Sequence, residues 1–138
     1  MEERTMCHNY DSYGNPLYLS IDDSTQIVYL WGYQGQYPIA EIMNATYDEV
    51  KTALGGVAPE SLSSAIIPNE TILDDLRKNL KNSLVTTYIY QPLVGMISKT
   101  DPRGNKTTYH YDSFDRLQCI KDRNGNIVES YDYHYRNQ

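Results

Sequence analysis

The chain has 138 residues, with 18 acidic side chains against 12 basic ones and a formal net charge of −6. That length fits one domain with its own core, and the acidic balance argues against nucleic acid, because phosphate binding needs clustered Lys and Arg to release counterions. Fourteen tyrosines against one Phe and one Trp suit half-exposed sheets, where a ring is covered while its hydroxyl stays wet. Met1-Glu2-Glu3-Arg4 is charged and no long apolar run follows, so neither a signal peptide nor a membrane span is predicted.

In chain order, residues 1–13 read as a weakly constrained lead-in, closed by a turn at Gly14-Asn15-Pro16. Leu17, Leu19 and Ile21 then alternate with Tyr18 and Ser20. Asp22-Asp23-Ser24-Thr25 turns the chain, and Ile27, Tyr29, Trp31 and Tyr33 alternate with Val28 and Leu30. This is an antiparallel hairpin whose second strand is apolar on both faces, which places Ile27 to Trp31 inside a sheet. Gly32-Tyr33-Gln34-Gly35-Gln36-Tyr37-Pro38 reads as a loop, and its glycine spacing fits no phosphate-binding motif.

Helix signals take over at Asn44. Thr46-Tyr47-Asp48-Glu49 is a capping box, Val50, Ala53 and Leu54 form an apolar stripe, and Gly55-Gly56 ends the helix. Pro59-Glu60-Ser61-Leu62 starts a further turn, stopped by Ile66-Ile67-Pro68. Asn69 caps a longer helix with Ile72, Leu73, Leu76 and Leu80 on one stripe, acids early and Arg77, Lys78 and Lys81 late. Such a stripe must be buried, and the sheet is the available surface.

Strands resume at Val85-Thr86-Thr87-Tyr88-Ile89-Tyr90. Pro92-Leu93-Val94-Gly95 breaks or bulges the run, and residues 96–100 continue it to a turn at Asp101. From here the chain repeats. Tyr-x-Tyr occurs at Tyr88/Tyr90, Tyr109/Tyr111 and Tyr131/Tyr133, in steps of 21 and 22 residues, and Asp101-Pro102-Arg103-Gly104-Asn105 is matched 21 residues later by Asp122-Arg123-Asn124-Gly125-Asn126. One turn and one aromatic strand per period describe a stacked array of β-hairpins. Thr107, Tyr109 and Tyr111 share one strand face, as do Ile127, Glu129, Tyr131, Tyr133 and Tyr135, with a short return strand through Leu117, Cys119 and Ile120. Asn124-Gly125 predicts a type I′ turn with two positive-φ residues. The tyrosine faces of successive hairpins are expected to lie against one another.

Tyr109, Tyr111, Asp112, Arg116, Leu117, Asp122, Gly125, Tyr131 and Tyr133 resemble the YD repeats of the RHS family, whose units run roughly Tyr-x-Tyr-Asp, two residues, Gly-Arg-Leu, then Asp-x-x-Gly and the next Tyr. The resemblance covers about Tyr88 to Tyr135, with a degenerate echo at Tyr10-Asp11-Ser12-Tyr13-Gly14-Asn15. Asp115 stands where the family usually has glycine, so a left-handed turn would force it to positive φ. The resemblance implies an exported or cell-surface structural protein whose hairpins build a shell around a toxic segment or a contact module. It implies partners in the rest of a longer chain or a second copy added through the terminal strand edge, and suggests that this chain is a C-terminal piece or truncated copy.

No motif carries catalysis. His8, His110 and His134 lack ligand spacing; the acid pairs Asp22/Asp23, Asp74/Asp75 and Asp112/Asp115 read as a turn, a helix start and loop flanks. Cys7 and Cys119 fit either two idle thiols or, in an oxidising compartment, one disulfide. The sequons at Asn44, Asn69 and Asn105 coincide with helix starts and a turn. The sequence therefore predicts an α+β protein without cofactor or metal: one domain, divided into an N-terminal hairpin region (1–43), a helical insertion of two to three helices (44–83) and repeat hairpins (84–138) on a twisted, mostly antiparallel sheet. The rival function is a carbohydrate or cell-surface binding module using a sheet face built from Tyr109, Tyr111, Tyr131, Tyr133 and Tyr135. Asp112, Arg116, Leu117, Asp122 and Gly125 are the repeat's structural residues.

Overall fold

A computed structural model describes residues 5–22, 24–66 and 68–131. Among these residues nine strands form one antiparallel sheet in which each strand pairs with the next along the chain. They are β1 (Thr5–Tyr10), β2 (Pro16–Ile21), β3 (Thr25–Gly32), β4 (Tyr37–Met43), β5 (Leu84–Gln91), β6 (Gly95–Thr100), β7 (Lys106–Tyr111), β8 (Leu117–Lys121) and β9 (Ile127–Ser130). Helices α1 (Tyr47–Ala53) and α2 (Glu70–Asn79), with a 3₁₀ turn at Pro59–Leu62 between them, lie in the connection from β4 to β5. The architecture is thus α+β with a mostly antiparallel sheet.

The helical segment is a long detour inside one hairpin. Met43 pairs with Leu84 and Ile42 with Val85, so the ladder closes as if residues 44–83 were a loop. The Ser83 hydroxyl donates to the Asn44 carbonyl at 2.9 Å, and the Asn44 amide to the Asn82 carbonyl at 2.9 Å. Local signals set both helices. Thr46 and Glu49 cap α1 reciprocally, and Asn69 caps α2 through the Thr71 N–H.

What those helices cover is the centre of the sheet. Val28 and Leu30 of β3, Ala40 and Ile42 of β4 and Val85 of β5 are buried against Val50, Leu54, Leu73, Leu76 and Leu80. Burying such side chains contributes roughly 1.5–3 kcal/mol each, which makes this the stable region of the molecule. Exposure rises away from it, and every residue of β9 is exposed.

The sheet departs from the sequence expectations in four places. Residues 5–10 are not a lead-in but strand β1, paired with β2; its mixed composition carries no alternation, and the neighbouring strand supplies its hydrogen bonds. Tyr37 and Pro38 belong not to a loop but to β4, a central strand. Pro38 is tolerated because it stands opposite Trp31, where the register shifts and a ladder donor is not required. Residues 92–95 reverse the chain instead of bulging it, so β6 pairs back onto β5. The turn at Asn124-Gly125 is not type I′: Gly125 has φ 83° but Asn124 is not at positive φ.

Candidate functional site

Four turns in the chain share one hydrogen-bond pattern. In each, an aspartate receives an N–H from the residue three positions on and donates its own N–H to the carbonyl four positions on. This holds for Asp11, Asp101, Asp112 and Asp122, with all distances from 2.8 to 3.1 Å. Each carboxylate also accepts, through Oδ1, the N–H groups two and four residues on: Tyr13 and Asn15, Arg103 and Asn105, Phe114 and Arg116, Asn124 and Asn126. A three-residue loop with a left-handed residue before the return strand is a type I turn with a G1 bulge, which replaces the type I′ expectation at Asn124-Gly125.

The left-handed position is glycine in three turns, Gly14, Gly104 and Gly125, at φ 85°, 87° and 83°, and Asp115 in the fourth, at φ 61°. A Cβ at any of the three glycines would meet nothing within 4 Å. Backbone conformation, not space, is what calls for glycine there. Three of the turns are followed by a one-residue register shift, leaving Leu17, Gln118 and Val128 as the extra residue on the return strand; after Asp101 the ladder runs without one.

The free carboxylate oxygen distinguishes the copies. At Asp112, Oδ2 pairs with Arg116 Nε at 2.9 Å. At Asp11 it accepts the buried Ser63 hydroxyl at 2.6 Å and the Asn15 amide at 3.1 Å, so the first turn anchors the helical segment. Burial pushes the Asp11 carboxyl up, but the Ser63, Asn15 and Tyr13 donors outweigh it and hold the group below the usual carboxylate range.

Of the tyrosines nominated as a binding face, Tyr109 and Tyr111 lie two apart on β7, and Tyr131 follows β9. Tyr88 pairs with Lys99 and Tyr109 with Ile120, so a whole strand, β6, separates their strands. The Tyr111 hydroxyl donates to the Met96 carbonyl at 2.7 Å. Tyr131 is exposed, its N–H donating to the Gln118 carbonyl at 2.8 Å and its hydroxyl to Glu129 at 2.6 Å. Tyr133 and Tyr135 lie outside the described residues, as does His134. Of the repeat residues, Asp112, Arg116, Asp122 and Gly125 build the turns above, and Leu117 opens β8, paired with Tyr111.

The described rings that meet across successive hairpins are Tyr33 and Tyr37 of the β3–β4 hairpin and Tyr90 of the β5–β6 hairpin. Tyr33 meets Tyr37 and Tyr90 edge-on at 5.5 and 6.0 Å, and Tyr37 stacks on Tyr90 at 4.6 Å. The buried Tyr33 hydroxyl accepts the Tyr90 N–H at 2.9 Å. Burial, with Tyr88, Tyr33 and Tyr37 nearby, pushes the Tyr90 phenol up to about 12. The cluster, with the Leu93 N–H donating to the Tyr37 hydroxyl at 3.2 Å, binds the β3–β4 and β5–β6 hairpins.

Two of the surface hollows lie beside these elements. A groove of about 250 Å³ runs between α2 and β5–β7, lined by Glu70, Asp74, Arg77, Thr87, Ser98 and Lys106 among others. One Arg77 guanidinium nitrogen spans the Val85 and Thr100 carbonyls and the Thr87 hydroxyl at 3.1–3.4 Å, while its Nε is buried and without a partner among the described residues. A second hollow of about 290 Å³ lies among Tyr33, Gln34, Gln36, Ile66, Pro92 and Leu93. Sequence reading missed it, although Pro92 before Leu93 was the available signal: proline at the second position of a turn invites a left-handed third residue.

Among the described residues no group of three or more His, Cys, Asp or Glu could hold a metal ion, and no helix is long and apolar enough to cross a membrane. Cys7 and Cys119 are both free. His8 bonds the Ser20 hydroxyl at 2.8 Å and His110 the Thr108 hydroxyl at 3.0 Å. Asp112 and Asp115 sit at opposite ends of one turn, with the Asp112 carboxylate occupied by backbone donors.

Residues 94–127 match the family model described as RHS Repeat. The matched span runs from the end of the β5–β6 turn to the first residue of β9 and takes in the Asp101, Asp112 and Asp122 turns. No curated protein matches the chain.

Proposed function

We propose, from the match of residues 94–127 to the RHS Repeat model, that this protein is a non-enzymatic scaffold module that contributes YD-type β-hairpins to a longer RHS shell or cell-surface assembly. One observation carries the reading. Turns of one design recur at Asp11, Asp101, Asp112 and Asp122 along a sheet whose strands add strictly in chain order, and β9, the last strand among the described residues, leaves Ile127 and Val128 each 60 % exposed.

A repeat unit of this kind buries its apolar residues against the next one, so its stability rises with each neighbour. Among the described residues no strand covers the outer edge of β9, and a further strand, from the same long chain or from a second copy, would add there. Export or surface display follows from the family's usual setting. A sugar platform on Tyr109, Tyr111, Tyr131, Tyr133 and Tyr135 is the lesser reading, since Tyr111 already uses its hydroxyl within the sheet.

The test is an extended protein carrying a second copy of residues 106–131 after Gln138. If β9 accepts the next hairpin, its amides gain hydrogen-exchange protection and the melting temperature rises. An appended copy that exchanges freely and leaves β9 unprotected would overturn the reading.

A further inference from the structure

The turn joining β5 to β6 places an apolar side chain where both its backbone and its surroundings disfavour it. Val94 N–H donates to the Gln91 carbonyl at 3.0 Å, with Pro92 second and Leu93 third at φ 70°, the geometry of a type II turn, which calls for glycine or asparagine at that third position. Leu93 is instead a branched residue in the left-handed region and is 94 % exposed. The chain does not lack glycine here: Gly95 stands two residues on. The Leu93 N–H donates to the Tyr37 hydroxyl at 3.2 Å, which holds the turn on the sheet, while the side chain it carries stays uncovered and points to a contact made outside the chain.

Its surroundings define that contact. The hollow beside Leu93 is walled by Tyr33, Gln34, Gln36, Ile66 and Pro92, with Ile66 itself 70 % exposed. Its floor is rigid: Tyr33 is buried in the tyrosine cluster, and the Gln34 and Gly35 N–H groups are fixed to the Ala65 and Ser63 carbonyls at 3.1 and 2.8 Å. Its volume of about 290 Å³ compares with roughly 150 Å³ for an apolar cavity that takes up benzene.

We propose that this patch is a self-association surface: Leu93 of one copy enters the hollow beside Leu93 of a second copy, and the second copy's Leu93 enters the first. A protruding group next to a receiving hollow is self-complementary about a two-fold axis. Charge at the patch itself does not oppose that occupant. None of the six lining residues is charged, so two molecules of net charge −6 meet here without setting like charges face to face. The surface is small, so the dimer is weak and reversible when alone. It lies at the β5–β6 turn, away from the β9 edge, and does not depend on strand addition.

Sedimentation velocity over a range of protein concentrations, with Leu93→Gly and Ile66→Ser variants, tests this. The wild type is expected to show a reversible monomer–dimer equilibrium. Leu93→Gly should weaken it at least about tenfold, as loss of a central anchor does, while melting no lower than the wild type, since glycine suits φ 70°. Ile66→Ser should weaken it too. A wild type that stays monomeric at the highest concentration, or a dimer that survives Leu93→Gly, would overturn the proposal; the latter would assign association to another surface, such as the β9 edge.

Discussion

Ser63 and Asp11 stand 52 residues apart in sequence and share a 2.6 Å hydrogen bond in the interior, where the serine is fully buried and the aspartate 7 % exposed. The bond joins the first hairpin turn to the segment between the helices. It is extended by Asn15 to the Gly35 carbonyl and by Gly35 to the Ser63 carbonyl, both at 2.8 Å. A turn that elsewhere only reverses a strand here fixes the helical layer on the sheet.

Ser63→Ala is therefore expected to destabilise the protein by about 1–3 kcal/mol, because it removes a donor from a buried carboxylate. Ser113→Ala, at an exposed place in the Asp112 turn, should stay within about 0.5 kcal/mol. Urea denaturation of both variants checks this; equal effects would mean that the Asp11 anchor contributes nothing.

Asp115→Gly should raise the melting temperature. Three of the four turns already have glycine at the left-handed position, and Asp115 adopts φ 61° there with an exposed side chain. Replacement relieves a left-handed cost of about 1 kcal/mol, set against the added freedom of glycine in the unfolded chain. Thermal melts decide; a clear drop would show that Asp115 makes a contact worth more than its strain.

Alkali should weaken the fold through its tyrosines. Burial raises the Tyr90 phenol to about 12, and burial with the nearby Glu60 carboxylate raises Tyr47 to about 12. Unfolded, both ionise near 10. Between those values the unfolded chain releases protons that the folded one keeps, so stability is complete below about pH 10 and falls as pH rises toward 12. Urea midpoints across that range should decline, less steeply in Tyr90→Phe. A flat profile would mean that the rings are hydrated.

Stability should also be uneven along the sheet. Leu76→Ala, at a fully buried position under β3–β5, should cost about 2–5 kcal/mol, whereas Val128→Ala on β9 should stay within about 0.5 kcal/mol. Native-state hydrogen exchange should show β9 amides opening well before those of β4. Equal protection would mean that β9 is covered in solution.

The sequence alone determined whatever depends on neighbours a few residues away. The helix caps at Thr46 and Asn69, the reversals at Asp101 and Asp122 and the positive φ at Asp115 each follow from a side chain meeting nearby backbone donors, or from a conformation that few residues accept. Tertiary structure decided what depends on partners far along the chain. The composition of β1 shows no pattern, and β2 makes it a strand. Pro38 argues against a strand, yet burial of Ile39, Ala40 and Ile42 under the helices makes β4 central. Likewise, Tyr-x-Tyr spacing could not say which rings meet, because β6 lies between Tyr88 and Tyr109 while Tyr33, Tyr37 and Tyr90 are gathered from two hairpins. Asp11 and Asp112 read alike in sequence. Only packing set a buried serine against one and an arginine against the other, since long-range contacts are fixed by how layers dock and not by local preference.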